Sequence, residues 1–94
     1  RFAAAHNNLA LLLERQGKTD EAMKHYRAAV AAQPSHVVSN FNLGILLFSQ
    51  GKNEDALKHL ERVRRLRPDI REASEAIETI RRGTSTAPPP ATAP

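Results

Sequence analysis

The feature that most constrains this chain is a match to itself at a spacing of 34 residues. Laid over itself without a gap, Asn8-Leu9 falls on Asn42-Leu43, Leu12-Leu13 on Leu46-Leu47, and Gln16-Gly17-Lys18 on Gln50-Gly51-Lys52. Ala22 falls on Ala56, Lys24-His25 on Lys58-His59, and Pro34 on Pro68. A fixed period of this length marks a solenoid, in which each unit is one supersecondary element that cannot bury its apolar face alone.

Within each period the pattern is helical. Ala5, Leu9, Leu12 and Leu13 share one spacing, and Gly17 supplies the positive φ that ends a helix over 3–16. Thr19 or Asp20 is expected to cap a second helix to Ala32, with Ala22, Tyr26, Ala29 and Val30 inward. Pro34 stops it, and Ser35 is expected to open the third. The cycle repeats: a helix to Ser49, Gly51 as stop, Asn53 as cap, then a helix to Arg67. Asp69 with Glu72 makes a capping-box start for a fifth helix reaching Arg82. Ala10, Gly44, Ala22 and Ala56 are the small residues that let paired helices approach closely.

This arrangement of Asn-Leu-small, Gly, Ala, aromatic or Leu, Ala or Val, and Pro at a period of 34 resembles the tetratricopeptide repeat. The resemblance covers two units within residues 3–68, with departures. His6 and Asn40 stand where a large aromatic is often found, Ala10 replaces Gly, and Leu60 replaces the aromatic that Tyr26 supplies. It implies an all-α fold: two helix-turn-helix repeats in a right-handed stack plus a C-terminal capping helix, a fragment of an α-solenoid. The expected organisation is a repeat domain over 1–82 (repeats 3–36 and 37–70, capping helix 70–82) and a disordered Pro/Thr/Ala-rich tail over 83–94, which holds four of the six prolines. A chain beginning at Arg1, with Phe2 where a preceding unit would end, reads as part of a longer array.

The resemblance further implies that first helices line a concave face. There Asn8 and Asn42 would form a short ladder, since an amide offers a donor and an acceptor to any peptide group. The groove-side candidates are Ala4, Asn7, Leu11 and Glu14, then Val38, Phe41, Ile45 and Phe48. None is cationic, which argues against a clamp for an acidic C-terminus. Phe41, Ile45 and Phe48 form a stripe on a helix that is apolar nearly all round, so they are core, a partner groove or a dimer contact. The peptide-binding residues expected are therefore Asn8, Asn42, Leu11, Val38, Phe41, Ile45 and Phe48.

Chemistry is not expected. The chain has no cysteine, its four histidines show no metal-ligand spacing, and its four glycines are isolated rather than grouped into a phosphate loop. No catalytic residue, metal or cofactor is assigned. The net charge of +4 is concentrated in residues 58–71, where six cations face two carboxylates. No aromatic is interleaved for base stacking, which disfavours nucleic acid. No apolar run reaches the roughly 18 residues of a membrane span, so no membrane partner is expected. The function that follows is non-catalytic binding of a protein or peptide, with homo-oligomerisation among the expectations. A self-assembling solenoid segment, or an accessory substrate-binding module of an enzyme such as a glycosyltransferase, are the alternatives.

Overall fold

The computed structural model describes residues 2–83, and the Pro-rich tail lies outside the described residues. Five helices follow in order: α1 (Phe2–Arg15), α2 (Thr19–Ala32), α3 (Val37–Ser49), α4 (Asn53–Leu66) and α5 (Arg71–Arg81). α1 pairs with α2 and α3 with α4, while α2 packs on α3 and α5 on α4. This is an all-α solenoid of two hairpins with a closing helix.

The two hairpin turns are built identically. Gly17 and Gly51 have φ of +79° and +78°, a conformation that a side chain would strain. The amide of Lys18 donates to the Leu13 carbonyl at 2.9 Å and that of Gly17 to Glu14 at 3.0 Å, the paired bonds of a Schellman motif. The Lys18 carbonyl in turn accepts from Ala22 at 3.0 Å, opening α2. Lys52 repeats both roles, donating to Leu47 and accepting from Ala56, each at 3.0 Å. One residue thus closes one helix and begins the next.

That economy overturns the expected caps. Lys18 and Lys52 occupy the cap positions and make no side-chain cap bond, while Thr19 and Asn53 are already helical. The Asn53 Oδ1 atom is buried with no partner among the described residues. At the third helix His36, not Ser35, is the cap: its Nδ1 accepts from the Ser39 amide at 3.3 Å and faces the Ser39 hydroxyl at 2.6 Å. The capping box at Asp69 is absent because the Arg67 guanidinium holds that carboxylate by two bonds, at 2.9 and 2.7 Å, leaving Ile70 at the cap.

Packing within each hairpin rests on the small residues. Ala10, Ala22 and Ala56 are fully buried, and Gly44 is buried beside them. A Cβ built on Gly44 would stand 2.8 Å from Leu60 Cγ and 2.9 Å from its Cδ2, with the Ala56 carbonyl at 3.4 Å. Leu60 is itself sealed in the core and has nowhere to retreat. The exchange of an aromatic for Leu60 and the use of Gly44 therefore belong together. α5 lays Ala73, Ala76, Ile77 and Ile80 against this core, and Arg81 pairs with Glu61 of α4 at its edge.

Replacing Gly44 by Ala is expected to destabilise the chain by about 1–2 kcal/mol, the overpacking cost exceeding the gain in helix propensity. In a Leu60→Ala background the same change is expected to stabilise by about 0.5–1 kcal/mol, because only the propensity gain remains. Denaturant midpoints of the four proteins test the sign reversal.

Candidate interaction face

α1 and α3 lie side by side. Asn42 donates from Nδ2 to the Asn7 Oδ1 atom at 3.1 Å, tying the first helices of the two units together. Asn7 is buried, Asn42 half-buried and Asn8 exposed. The ladder expected of Asn8 and Asn42 is therefore arranged differently: the rung facing Asn42 is Asn7, one residue away from its repeat equivalent. Each amide spends one of its four hydrogen-bonding sites on this bond. Asn7 Nδ2 and Asn42 Oδ1 have no partner among the described residues, and neither is sealed from solvent. Exchanging oxygen and nitrogen in both amides leaves the same pair, one donor and one acceptor.

The apolar candidates divide by depth. Val38 is exposed, while Leu11 and Phe41 are half-buried against the core. Ile45 and Phe48 are 9 % and 3 % exposed and belong to the core cluster that also holds Ile77 and Ile80 of α5. They lie beneath the face rather than on it, because α3 has α1, α2 and α4 around it. Ala4 is exposed, and Glu14 is occupied by the Tyr26 hydroxyl, which donates to its Oε1 at 2.7 Å. Burial first, then the Glu14 carboxylate, push the Tyr26 phenol well above its ordinary pKa.

Behind this face, polar pairs stand where an aromatic is absent. In the first unit the His6 and His25 rings stack with centroids 5.4 Å apart, their Nδ1 atoms 3.1 Å apart, so that one ring donates and the other accepts. In the second unit the equivalent pair is Asn40 and His59. Asn40 is fully buried and uses every hydrogen-bonding site it has. Its Nδ2 donates to the carbonyls of Pro34 and His36, each at 2.9 Å, and its Oδ1 faces His59 Nδ1 at 3.1 Å and Arg62 Nη1 at 3.3 Å. With Oδ1 able only to accept, His59 carries its proton on Nδ1. Burial, followed by the charges of Arg62, Lys58 and Arg27 and opposed by Asp55, lowers the His59 pKa to about 4. Nothing in the sequence spacing pointed to these pairs except their shared separation of 19 residues across a hairpin.

The basic run is partly spent within the fold. Arg62 turns toward Asn40 and the Pro34 carbonyl, and Arg67 is held by Asp69. Among the described residues no group of three or more His, Cys, Asp or Glu is arranged to hold a metal ion, and no helix is long and apolar enough to cross a membrane.

Stacked helical hairpins with a first-helix face of this kind define an α-solenoid repeat protein. A family model described as a tetratricopeptide repeat matches residues 1–69, and the chain belongs to that family. Such repeats are, in general, protein-interaction modules rather than catalysts. Among curated proteins none matches the chain.

His59 gives a test of the buried network. The unfolded chain takes up this proton near pH 6.5 and the folded chain only near 4. Between those values the unfolded state binds more protons, so the contribution is complete above about pH 6.5 and is lost as pH falls toward 4. The loss is expected to be about 2–3 kcal/mol. Urea titrations across that window should show it in the wild type. A His59→Gln variant, whose amide can still donate to Asn40, should lack that component of the slope.

Proposed function

We propose that the chain binds an extended polypeptide segment along the face shared by α1 and α3. The observation that carries this reading is the Asn7–Asn42 bridge, whose Asn7 Nδ2 and Asn42 Oδ1 atoms have no partner among the described residues. A peptide group offers one carbonyl and one amide, so the bridge satisfies a single unit of extended backbone without reading its side chain. Leu11, Val38 and Phe41 flank it as apolar walls, and Asn8 adds an exposed amide at the edge. Ile45 and Phe48 fix the floor by packing into the core. Binding of this kind draws affinity from backbone hydrogen bonds and selectivity from the side chains that meet Val38 and Phe41.

None of the groove-side residues is a cation, which favours neutral or apolar segments over acidic tails. The residues of this face hold no pair of groups arranged as nucleophile and base, and the reading is one of recognition without chemistry.

Peptides selected from a random library against the intact chain supply the probe. On addition of a selected peptide, the side-chain amide resonances of Asn7 and Asn42 should shift. Asn42→Ala should weaken binding by about 1–3 kcal/mol, roughly five- to 150-fold in Kd, with helicity retained. N-methylating the peptide backbone should have a comparable effect. Selected peptides that bind the Asn8→Ala, Asn42→Ala double variant as tightly as wild type would remove this face from consideration.

A further inference from the structure

We propose that the junction between the two units holds a second binding site, where Arg27, Lys58, Arg62 and His59 take the phosphate group of a phosphorylated polypeptide. The starting point is His59. It is 8 % exposed, and its Nδ1 is spent on Asn40 Oδ1 at 3.1 Å. Its Nε2 has no partner among the described residues and is not sealed from solvent. A buried imidazole thus keeps one nitrogen open to the outside, and that nitrogen can take up a proton and donate it to an anion.

Cations surround this opening. Arg62 and Lys58 of α4 and Arg27 of α2 stand close enough for their charges to act on the ring, with Asp55 of α4 opposing them. Asn40, the α3 residue against the ring, is neutral. The ion pairs among the described residues are Arg67 with Asp69, Arg81 with Glu61 and Arg82 with Glu78, so none of the three cations is held by a carboxylate. Arg62 is already positioned: its Nη1 donates to the Pro34 carbonyl at 3.4 Å and to Asn40 Oδ1 at 3.3 Å, both neutral acceptors. The Nε–Nη2 edge of its guanidinium is left over, and such an edge fits two oxygens of one phosphate. Arg27 and Lys58 are exposed.

The first unit lacks this arrangement. Lys24 and His25 stand one period before Lys58 and His59, but Ala28 stands in place of Arg62, and His25 Nδ1 faces His6. Arg62 is the residue that joins the buried network of the second unit to a charged surface.

Charge selects the occupant. Three cations against Asp55 leave two positive charges over. A phosphomonoester carries about −1.5 to −2 near neutral pH and offers three acceptor oxygens, where a carboxylate carries a single charge. The phosphodiesters of nucleic acid are singly charged, and residues 58–71 include no Phe, Tyr or Trp on which a base could stack. Tyr26, beside Arg27, is fully buried. The site shares no residue with the face of α1 and α3.

A peptide library with phosphoserine at one fixed position and randomised neighbours, screened against the 94-residue chain, supplies the probe. The best binder should lose affinity by about tenfold or more when serine or glutamate replaces the phosphoserine. Lys58→Ala and Arg27→Ala should each weaken binding by roughly two- to tenfold, with circular dichroism and urea midpoint unchanged. Changing both residues to Glu should abolish it. The Asn8→Ala, Asn42→Ala double variant should bind the phosphopeptide as wild type does, which separates this site from the peptide face. Saturating phosphopeptide should raise the pH at which the His59 ring protons titrate by NMR, because a dianion at Nε2 favours the imidazolium. A purely structural His59 would show no such shift. The proposal is overturned by a library that yields no phosphate-dependent binder, by binding that survives the double Glu variant, or by a His59 titration that does not move. Inorganic phosphate held as tightly as the phosphopeptide would overturn the polypeptide as the source of the group, and tighter binding of a single-stranded oligoribonucleotide would overturn it in favour of nucleic acid.

Discussion

The close approach of the two helices in each hairpin is the constraint on which the rest depends. Ala10 and Ala22 in the first unit, and Gly44 and Ala56 in the second, leave the backbones separated by little more than a side chain of the partner helix. In the second unit that side chain is Leu60, seated against the bare Cα of Gly44. Close approach brings residues 19 apart into hydrogen-bonding distance, which is how His25 reaches His6 and His59 reaches Asn40. It also shortens the turn until one lysine serves as the end of one helix and the start of the next.

Much of this fold was legible because its signals are local or periodic. The 34-residue match, the helical spacing and the two turn glycines each report on a neighbourhood of a few residues, and the helices begin and end close to where those signals place them. The caps were not legible. Thr19 and Asn53 have the chemistry of caps, but the doubled role of Lys18 and Lys52 shifts each helix start by one residue. Asp69 has that chemistry too, and a stronger partner two residues back claims it.

The candidate face was legible in composition and less so in arrangement. Repeat logic pairs Asn8 with Asn42 because they are equivalent by translation. Side chains that touch across the seam between units need not be equivalent, and the observed partner of Asn42 is offset by 35 residues rather than 34. The Phe41, Ile45 and Phe48 stripe was ambiguous for a related reason. A single helix states which of its sides are apolar, but only its neighbours decide which of those sides are covered. Around α3 they cover Ile45 and Phe48 and leave Phe41 at the margin.

These differences make the two first helices unlike in kind. α3 is enclosed, its polar residues Ser39 and Asn40 fully buried, and Asn40 is bonded at every site it offers. α1 has the same register of apolar residues, but one long side of it meets solvent. A side chain on α3 is therefore held by packing on several sides. Those on α1 are held on fewer sides and depend more on what covers them. The Asn7–Asn42 bond spans the boundary between the two regimes.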